Sequence, residues 1–466
     1  MPAPSRYAEL DVLRGLSILL MVLSGSIAFG GVLPGWMYHA QVPPPLHRFN
    51  PALPGITWVD LVFPFFLFSM GAAMPLALGR RLQQGQPLWQ VLAYLVRRFG
   101  LLAWLAFYFA HTKPWALSAD VYSPVQRWCI SLGSFALLFV VFYPWPQLRR
   151  AWQRQLLQWG GVALSVLQLG LQQYTDGQPF RLSRVDIIIL VLANMALAGS
   201  LLWLATRSRP WWRIGIVLMV MGIFLSRDVQ GSWQQWLYRL TPDSQVYQFY
   251  FLKYLFIIVP GTLAGDWLLT APPGPEANLS AYQRRWLAGL PWLLVLLNLW
   301  GLYSRHLLPN LAGTLVLCVL LCRHTRHWPA THVLRRLAEA GSYLLLLGLV
   351  FESWEGGIKK DSSTYSYYFV CSGLAMLLLL SVRVQLQQAG WQRFWQPLVA
   401  NGQNPLLAYV AGALLLTPLL GLAQLLPWWE GLHANAGQGL LKGLLYSSAV
   451  AGITWYATRR GWVWKS

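Results

Sequence analysis

Charge is what this sequence has least of. Asp, Glu, Lys and Arg make up 11% of its 466 residues, and only 15 side chains are acidic against 35 basic. With 56% apolar residues and 27 Trp, so little charge cannot coat a soluble protein of this length, which excludes a soluble globular class. Cysteine is scarce as well. Cys129, Cys318, Cys322 and Cys371 fall in or beside apolar runs, with no CxxC pair and no Cys/His spacing that suits a metal, so they read as packing residues and no metal site is expected. There is also no soluble domain, no low-complexity linker and no repeat at a fixed period. Residues 1–466 read as a single integral membrane domain, and the linker-like APPGPEAN stretch near residues 271–280 is the one place where it could divide.

What is present is a series of apolar runs of helix-spanning length. About fourteen are long enough to cross a bilayer, centred from near residue 25 to near residue 449, with eleven to fourteen as the range because several are marginal. The expected fold is therefore all-α, a polytopic transmembrane helix bundle. The formal charge of +20 is spread as short basic clusters between apolar runs, not as one stripe or tail, so topology explains it and nucleic acid does not. With the amino terminus inside, clusters such as Arg149-Arg150, Arg284-Arg285, Arg335-Arg336 and Arg459-Arg460 all fall on the cytoplasmic side, as the positive-inside rule requires. Both termini are then cytoplasmic. The acidic start and the lack of a small-residue cleavage site imply that the first helix is retained. Loops near residues 35–56, 111–125, 227–245 and 354–364 face outward and gather His39, His47, Asp120, Glu355, Lys360 and Asp361.

The stretch HRFNPALPGITWVDLVFPFFLFSMG, from His47 to Gly71, concentrates the candidate chemistry. A carboxylate at a membrane boundary with an imidazole before it is costly for packing alone, although Asp60 with Thr57 can also simply cap the next helix. Asp11 and Arg14 sit three apart on one helix face, as a local ion pair or as part of a site. Gln126-Arg127 opens the fourth helix on the outer side, where the guanidinium can clamp an anion or snorkel. Lys253 and Asp266 lie within or near the end of an apolar segment. Gly261 and Gly265, spaced as GxxxG, favour close helix packing over ligand binding. The hydroxyl-rich KDSSTYSYYFVCSG, which includes Lys360 and Ser366, can bind a polar substrate or bond back to its own helix. Asn404 is a cap or part of a polar cavity.

The order of these blocks is more specific than any one of them. LDVLRGLSILLMV, a His-containing loop, GITWVDLVFPFFLFSMG, VQRW, GTLAG, KKDSSTYSYYFVCSGLA and GQNPLLAYV together resemble the heparan-α-glucosaminide N-acetyltransferase family and its bacterial relatives of undefined function. The resemblance covers most of the chain as anchor blocks and is weakest over about residues 140–245. It implies a polytopic acetyltransferase that takes acetyl from acetyl-CoA and passes it to an amine across a membrane. It also implies a catalytic His in the loop before the DLVFP block, where His47 is the better match and His39 the next. Asp11, Arg14, Gln126, Arg127, Lys360, Ser366 and Asn404 match positions of the family pattern and are implied to bind substrate or acetyl donor. Two features depart from the pattern: the stretch between His47 and the Gly55, Thr57, Asp60 element is longer, and Gly25 stands where relatives have Asn.

The chemistry suits those parts. His47 would act as general base or carry the acetyl group, Asp60 would hold its ring in the needed tautomer, and Arg127 or Lys360 would contact the oxyanion. The favoured function is a membrane-bound acyltransferase moving an acetyl or longer acyl group from acetyl-CoA to an amine or hydroxyl of an extracytoplasmic sugar or glycolipid. The expected place is the bacterial inner membrane, with the catalytic His outside. Partners are acetyl-CoA as co-substrate, the acceptor and the lipid bilayer, with no nucleic acid, and a homodimer is left open. The alternative is a secondary transporter or lipid-linked glycan flippase, which would share the helix number, internal charges and Pro- or Gly-broken segments.

Overall fold

Every apolar run that the sequence marks as membrane-spanning is helical in the computed structural model, which describes residues 7–241, 243–271 and 279–465. The helices longer than two turns are α1 (Ala8–Ser26), α2 (Trp58–Gln83), α3 (Leu88–Thr112), α4 (Pro124–Phe142), α5 (Ala151–Leu171), α6 (Ile187–Thr206), α7 (Pro210–Leu225) and α8 (Leu255–Thr270). They continue with α9 (Ala281–Tyr303), α10 (Leu307–Thr325), α11 (Val333–Trp354), α12 (Tyr365–Gln385), α13 (Ala389–Gln403), α14 (Pro405–Leu422) and α15 (Ala436–Arg459). No β-strand forms among the described residues. Nine helices among them are long and apolar enough to cross a membrane: α2, α3, α4, α6, α8 with the turn before it, α9, α10, α12 and α14. The chain is thus a helical membrane protein. The APPGPEAN stretch lies mostly outside the described residues.

Nine among the described residues is fewer than the eleven to fourteen spans expected: α7 has only 16 residues, and α1, α5, α11 and α15 are less apolar or more charged than the nine. Two elements also differ from expectation. The first helix lies earlier than a centre near residue 25, because its charged start is paired: Glu9 accepts from Arg383 at 2.7 Å and Asp11 pairs with Arg14 at 3.2 Å. Helix α13 was not expected. It carries Gln392, Arg393, Gln396 and an internal Pro397 against Trp391, Phe394, Trp395, Leu398 and Val399 as its large apolar residues, the pattern of a helix lying at an interface and not of one crossing it.

The centre of the bundle is α12, with 94% of its apolar window buried, and α2, with 83%; α4 and α10, at 28% and 22%, form the periphery. Helices α2 and α8 run side by side in the same direction. A Cβ on Gly261 would lie 2.4 Å from the Phe68 carbonyl, and one on Gly265 2.3 Å from that of Ala72. The GxxxG pair is therefore a packing device, as its spacing suggests.

Prolines inside these helices explain the hydroxyls of α12. Pro64 has no N–H to offer the Asp60 carbonyl four residues back, and Pro260 leaves the Phe256 carbonyl without one in the same way. A buried carbonyl needs a partner. The Tyr367 hydroxyl donates to Asp60 O at 2.8 Å, and the Ser372 hydroxyl donates to Phe256 O at 3.1 Å. The hydroxyl-rich stretch thus ties α12 to both proline-containing neighbours.

Candidate active site

At one end of the bundle, residues 27–57 fold over the mouths of α2 and α12. Local chemistry places Asp60 first. The Thr57 amide donates to Asp60 Oδ2 at 2.9 Å, as in a capping box, while the Thr57 hydroxyl donates to the Tyr38 carbonyl at 2.6 Å. That second bond brings the segment after Tyr38 over the helix start. Gly55, which opens the Gly–Thr–Asp element, sits at φ +124° and donates to Ile358 O at 2.7 Å. A side chain is strained at that φ, and a Cβ would also meet the Leu302 carbonyl at 3.2 Å.

The carboxylate so placed meets His39, not His47. Asp60 Oδ1 lies 2.6 Å from His39 Nδ1, and Oδ2 also accepts the Ala40 amide at 3.2 Å. An ionised carboxylate only accepts, so Nδ1 carries the proton and the Nε2 lone pair is left as the base. The Asp60 side chain is 2% exposed and that of His39 36%, so a buried acid orients a reachable ring. Lys360 Nζ lies 3.3 Å from both ring nitrogens. The in-plane directions of the two ring nitrogens diverge, so an ammonium equally far from both lies alongside the ring and not in line with the Nε2 lone pair.

Lys360 arrives from a loop far away in sequence. The Gln41 side chain, buried, grips the backbone of Asp361 from both sides, accepting its amide at 2.8 Å and donating to its carbonyl. Beneath that loop, the buried Lys253 ammonium donates to the Ser363 carbonyl, and Tyr250 accepts the Ser363 amide at 3.1 Å. Lys253 is thus an anchor for the segment that carries Lys360.

The expectation that Asp60 orients His47 is corrected by this geometry. His47 packs edge-on against Phe29 and Tyr38, with centroids 4.9 and 4.5 Å away, and its Nε2 accepts the Gly30 amide at 3.0 Å. Its ring fastens the loop that presents His39. Among the other candidates, Ser366 is fully buried, and its hydroxyl donates to Thr364 Oγ1 at 2.8 Å. Gln126 is exposed and accepts the Ser123 amide at 2.8 Å in the cap of α4, with Arg127 beside it. Asn404 is buried and clamps the chain's last turn, donating to Trp462 O at 2.9 Å and accepting from Trp464 N at 3.1 Å. Around Gly25 a Cβ would meet nothing within 4 Å, and the neighbouring Ser24 and Ser26 hydroxyls are spent on Met21 and Val22 carbonyls at 2.8 Å.

Asp11 and Arg14 stand at the opposite end. The rise along α1 from Asp11 to its last residue is about 22 Å. Arg14 also donates to the Gly402 carbonyl at 3.0 Å, and Gln403 reaches Asp11 at 3.4 Å. These side chains line a cleft of about 460 Å³ with Pro144 and Lys465, so both ends of the described chain meet there. Of the matched residues, Asp60 and Lys360 therefore gather around His39, and Asp11 around Arg14 with Asn404 next to Gln403, whereas Gln126 and Arg127 stay in the cap of α4. Gln41 and Tyr367 are supporting residues that spacing alone does not reveal. Among the described residues no group of His, Cys, Asp and Glu could hold a metal ion.

A profile of the family described as Domain of unknown function (DUF5009) matches residues 6–268. His39 and Asp60 lie within the match and Lys360 beyond it. The chain is also 32% identical over 104 residues to human heparan-alpha-glucosaminide N-acetyltransferase, covering 22% of this chain and 12% of that protein.

Proposed function

The chain belongs to the family described as Domain of unknown function (DUF5009), and from its carboxylate–histidine pair we propose that it is a membrane-bound acyltransferase. The donor is acetyl-CoA and the acceptor an amine or hydroxyl of an extracytoplasmic sugar or glycolipid. The observation that carries this reading is the 2.6 Å contact between His39 and Asp60 beside the Lys360 ammonium. His39 Nε2 takes the acceptor's proton as its nitrogen or oxygen attacks the thioester carbonyl. Lys360 stabilises the oxyanion, Asp60 stabilises the imidazolium, and the proton passes to the departing thiolate as the C–S bond breaks. The same lone pair could instead carry the acetyl group between two half-reactions. The cleft that holds Arg14 and Lys465 suits the phosphates of CoA, with Asp11, Gln403 and Asn404 fixing its walls. Arg127 serves acceptor binding at the other end. The positive-inside rule assigns the Arg14 end to the cytoplasm, with both termini, and the His39 end to the outside of a bacterial inner membrane.

The test is purified protein with radiolabelled acetyl-CoA and a panel of amino sugars, alongside His39→Ala. Transfer by the wild type that is lost in the variant supports the reading. No transfer and no thioester hydrolysis, together with gradient-driven uptake of a sugar into vesicles, would replace it with the transporter.

A further inference from the structure

A second cleft, of about 490 Å³, opens at the Arg14 end between α9, α12 and α13. Its rim is Arg284 and Arg285, the fourth and fifth residues of α9, close to the helix end whose dipole is positive. Arg284 Nε is buried without a hydrogen-bond partner, and Arg285 is exposed. Its wall is aromatic. Trp292 and Trp395 are parallel within 5° at 6.3 Å, Trp391 stacks on Trp395 at 6.1 Å, and Trp395 Nε1 is fixed by Gln385 at 2.9 Å. Gly289 leaves the floor open, with nothing within 4 Å of a Cβ there. Trp391 is 40% and Phe394 62% exposed on the amphipathic α13.

We infer that this cleft holds an anionic phospholipid, its phosphate on Arg284 and Arg285 and its acyl chains along the tryptophan wall. Two guanidinium groups beside an apolar surface match a phosphate that carries hydrocarbon. The tryptophans stack on one another, so they present one continuous wall and leave no slot for a purine to enter. Aromatic side chains and an amphipathic helix are also what the interfacial layer of a bilayer favours. The site is separate from His39 and does not rest on the acyltransferase reading.

Native mass spectrometry of the full chain, exchanged into micelles holding phosphatidylglycerol and phosphatidylcholine of equal chain length, tests it. The wild type retains one phosphatidylglycerol in preference, and the preference weakens with added salt. Arg284→Gln with Arg285→Gln lowers retention about tenfold or more, since two charge-assisted contacts are lost, while Arg149→Gln with Arg150→Gln leaves it unchanged. Equal retention of both lipids by the wild type, an equal loss in the control pair, or displacement of the lipid by free adenosine 3′,5′-bisphosphate would overturn the inference. The wild-type comparison stands even if the double variant fails to fold.

Discussion

Asp60→Asn separates orientation of the base from its presence. The carboxylate makes two different bonds: Oδ1 accepts from His39 at 2.6 Å, while Oδ2 accepts the Thr57 and Ala40 amides at 2.9 and 3.2 Å. An Asn has only one oxygen to place. With its NH2 group toward the two backbone amides, two hydrogen bonds are lost at roughly 1–3 kcal/mol each. Even at the lower end, about 2 kcal/mol disfavours that arrangement about thirtyfold. The oxygen therefore stays on the amides and the NH2 group faces His39, so Nδ1 must accept and the proton moves to Nε2. The base is then on the wrong atom. The expected loss in kcat is about 10⁴-fold, the scale seen when a serine-protease triad receives the same change. Stability should fall by only about 1 kcal/mol, the cost of weakening a helix cap. The assay is the acetyl-transfer kcat alongside thermal unfolding of the detergent-solubilised protein. A folded variant that kept more than about a tenth of wild-type kcat would refute the tautomer argument, because a positioned general base is worth about 10²–10⁴.

Three other outcomes are expected. His39→Ala should lower kcat about a hundredfold or more, whereas His47→Ala should change it by only a few fold and cost about 1 kcal/mol of stability through its two aromatic contacts; equal losses of kcat would put both rings in the site. Tyr367→Phe should destabilise the fold by about 1–3 kcal/mol by orphaning the Asp60 carbonyl, and distinctly less in a Pro64→Ala background, where residue 64 can supply the missing N–H; a cycle without coupling in thermal unfolding would contradict the proline account. On a Cys129→Ser background, which removes an exposed thiol, an impermeant maleimide should label Leu46→Cys from outside and Ala330→Cys only after the membrane is opened, and the reverse pattern would invert the topology.

Apolar run length was enough to place fourteen helices but not to count spans, because a bilayer demands about twenty apolar residues and only nine of the described helices supply them. It missed α13, whose Gln392, Arg393, Gln396 and Pro397 break such a run while Trp391, Phe394 and Trp395 still give it an apolar side. Asp60 was legible from its place at the mouth of α2, and so were the packing glycines of α8. The choice between His39 and His47 was not. The path of a loop follows its non-local partners, here Gln41 on Asp361, 320 residues away, and His47 instead folds back on Phe29 and Tyr38. The DLVFP block held a signal that periodicity does not weigh: a Pro four residues after Asp60 frees the Asp60 carbonyl, so a donor must come from another helix. The hydroxyls of α12 were visible as unusual, but their partners were not, since they lie on the proline-bearing neighbours.

The packing also bears on the choice between an acyltransferase and a carrier. Alternating access requires one group of helices to rock against another about a central site, and the boundary between such groups has to slide. Helix α12 is instead buried along its length and bound by hydroxyls to α2 through Tyr367 and to α8 through Ser372. The α2–α8 contact is closed at Gly261 to a distance that excludes even a methyl group. Sliding there would break both hydroxyl bonds and leave two buried carbonyls unpaired, at roughly 1–3 kcal/mol each. Helix α1 spans the two clusters, with Asp11 and Arg14 in its early turns and the His39 loop leaving its end. A fixed distance between those clusters is a liability in a carrier. For an enzyme that holds one part of a long donor and reacts at the other end, it is what alignment of the thioester with His39 requires.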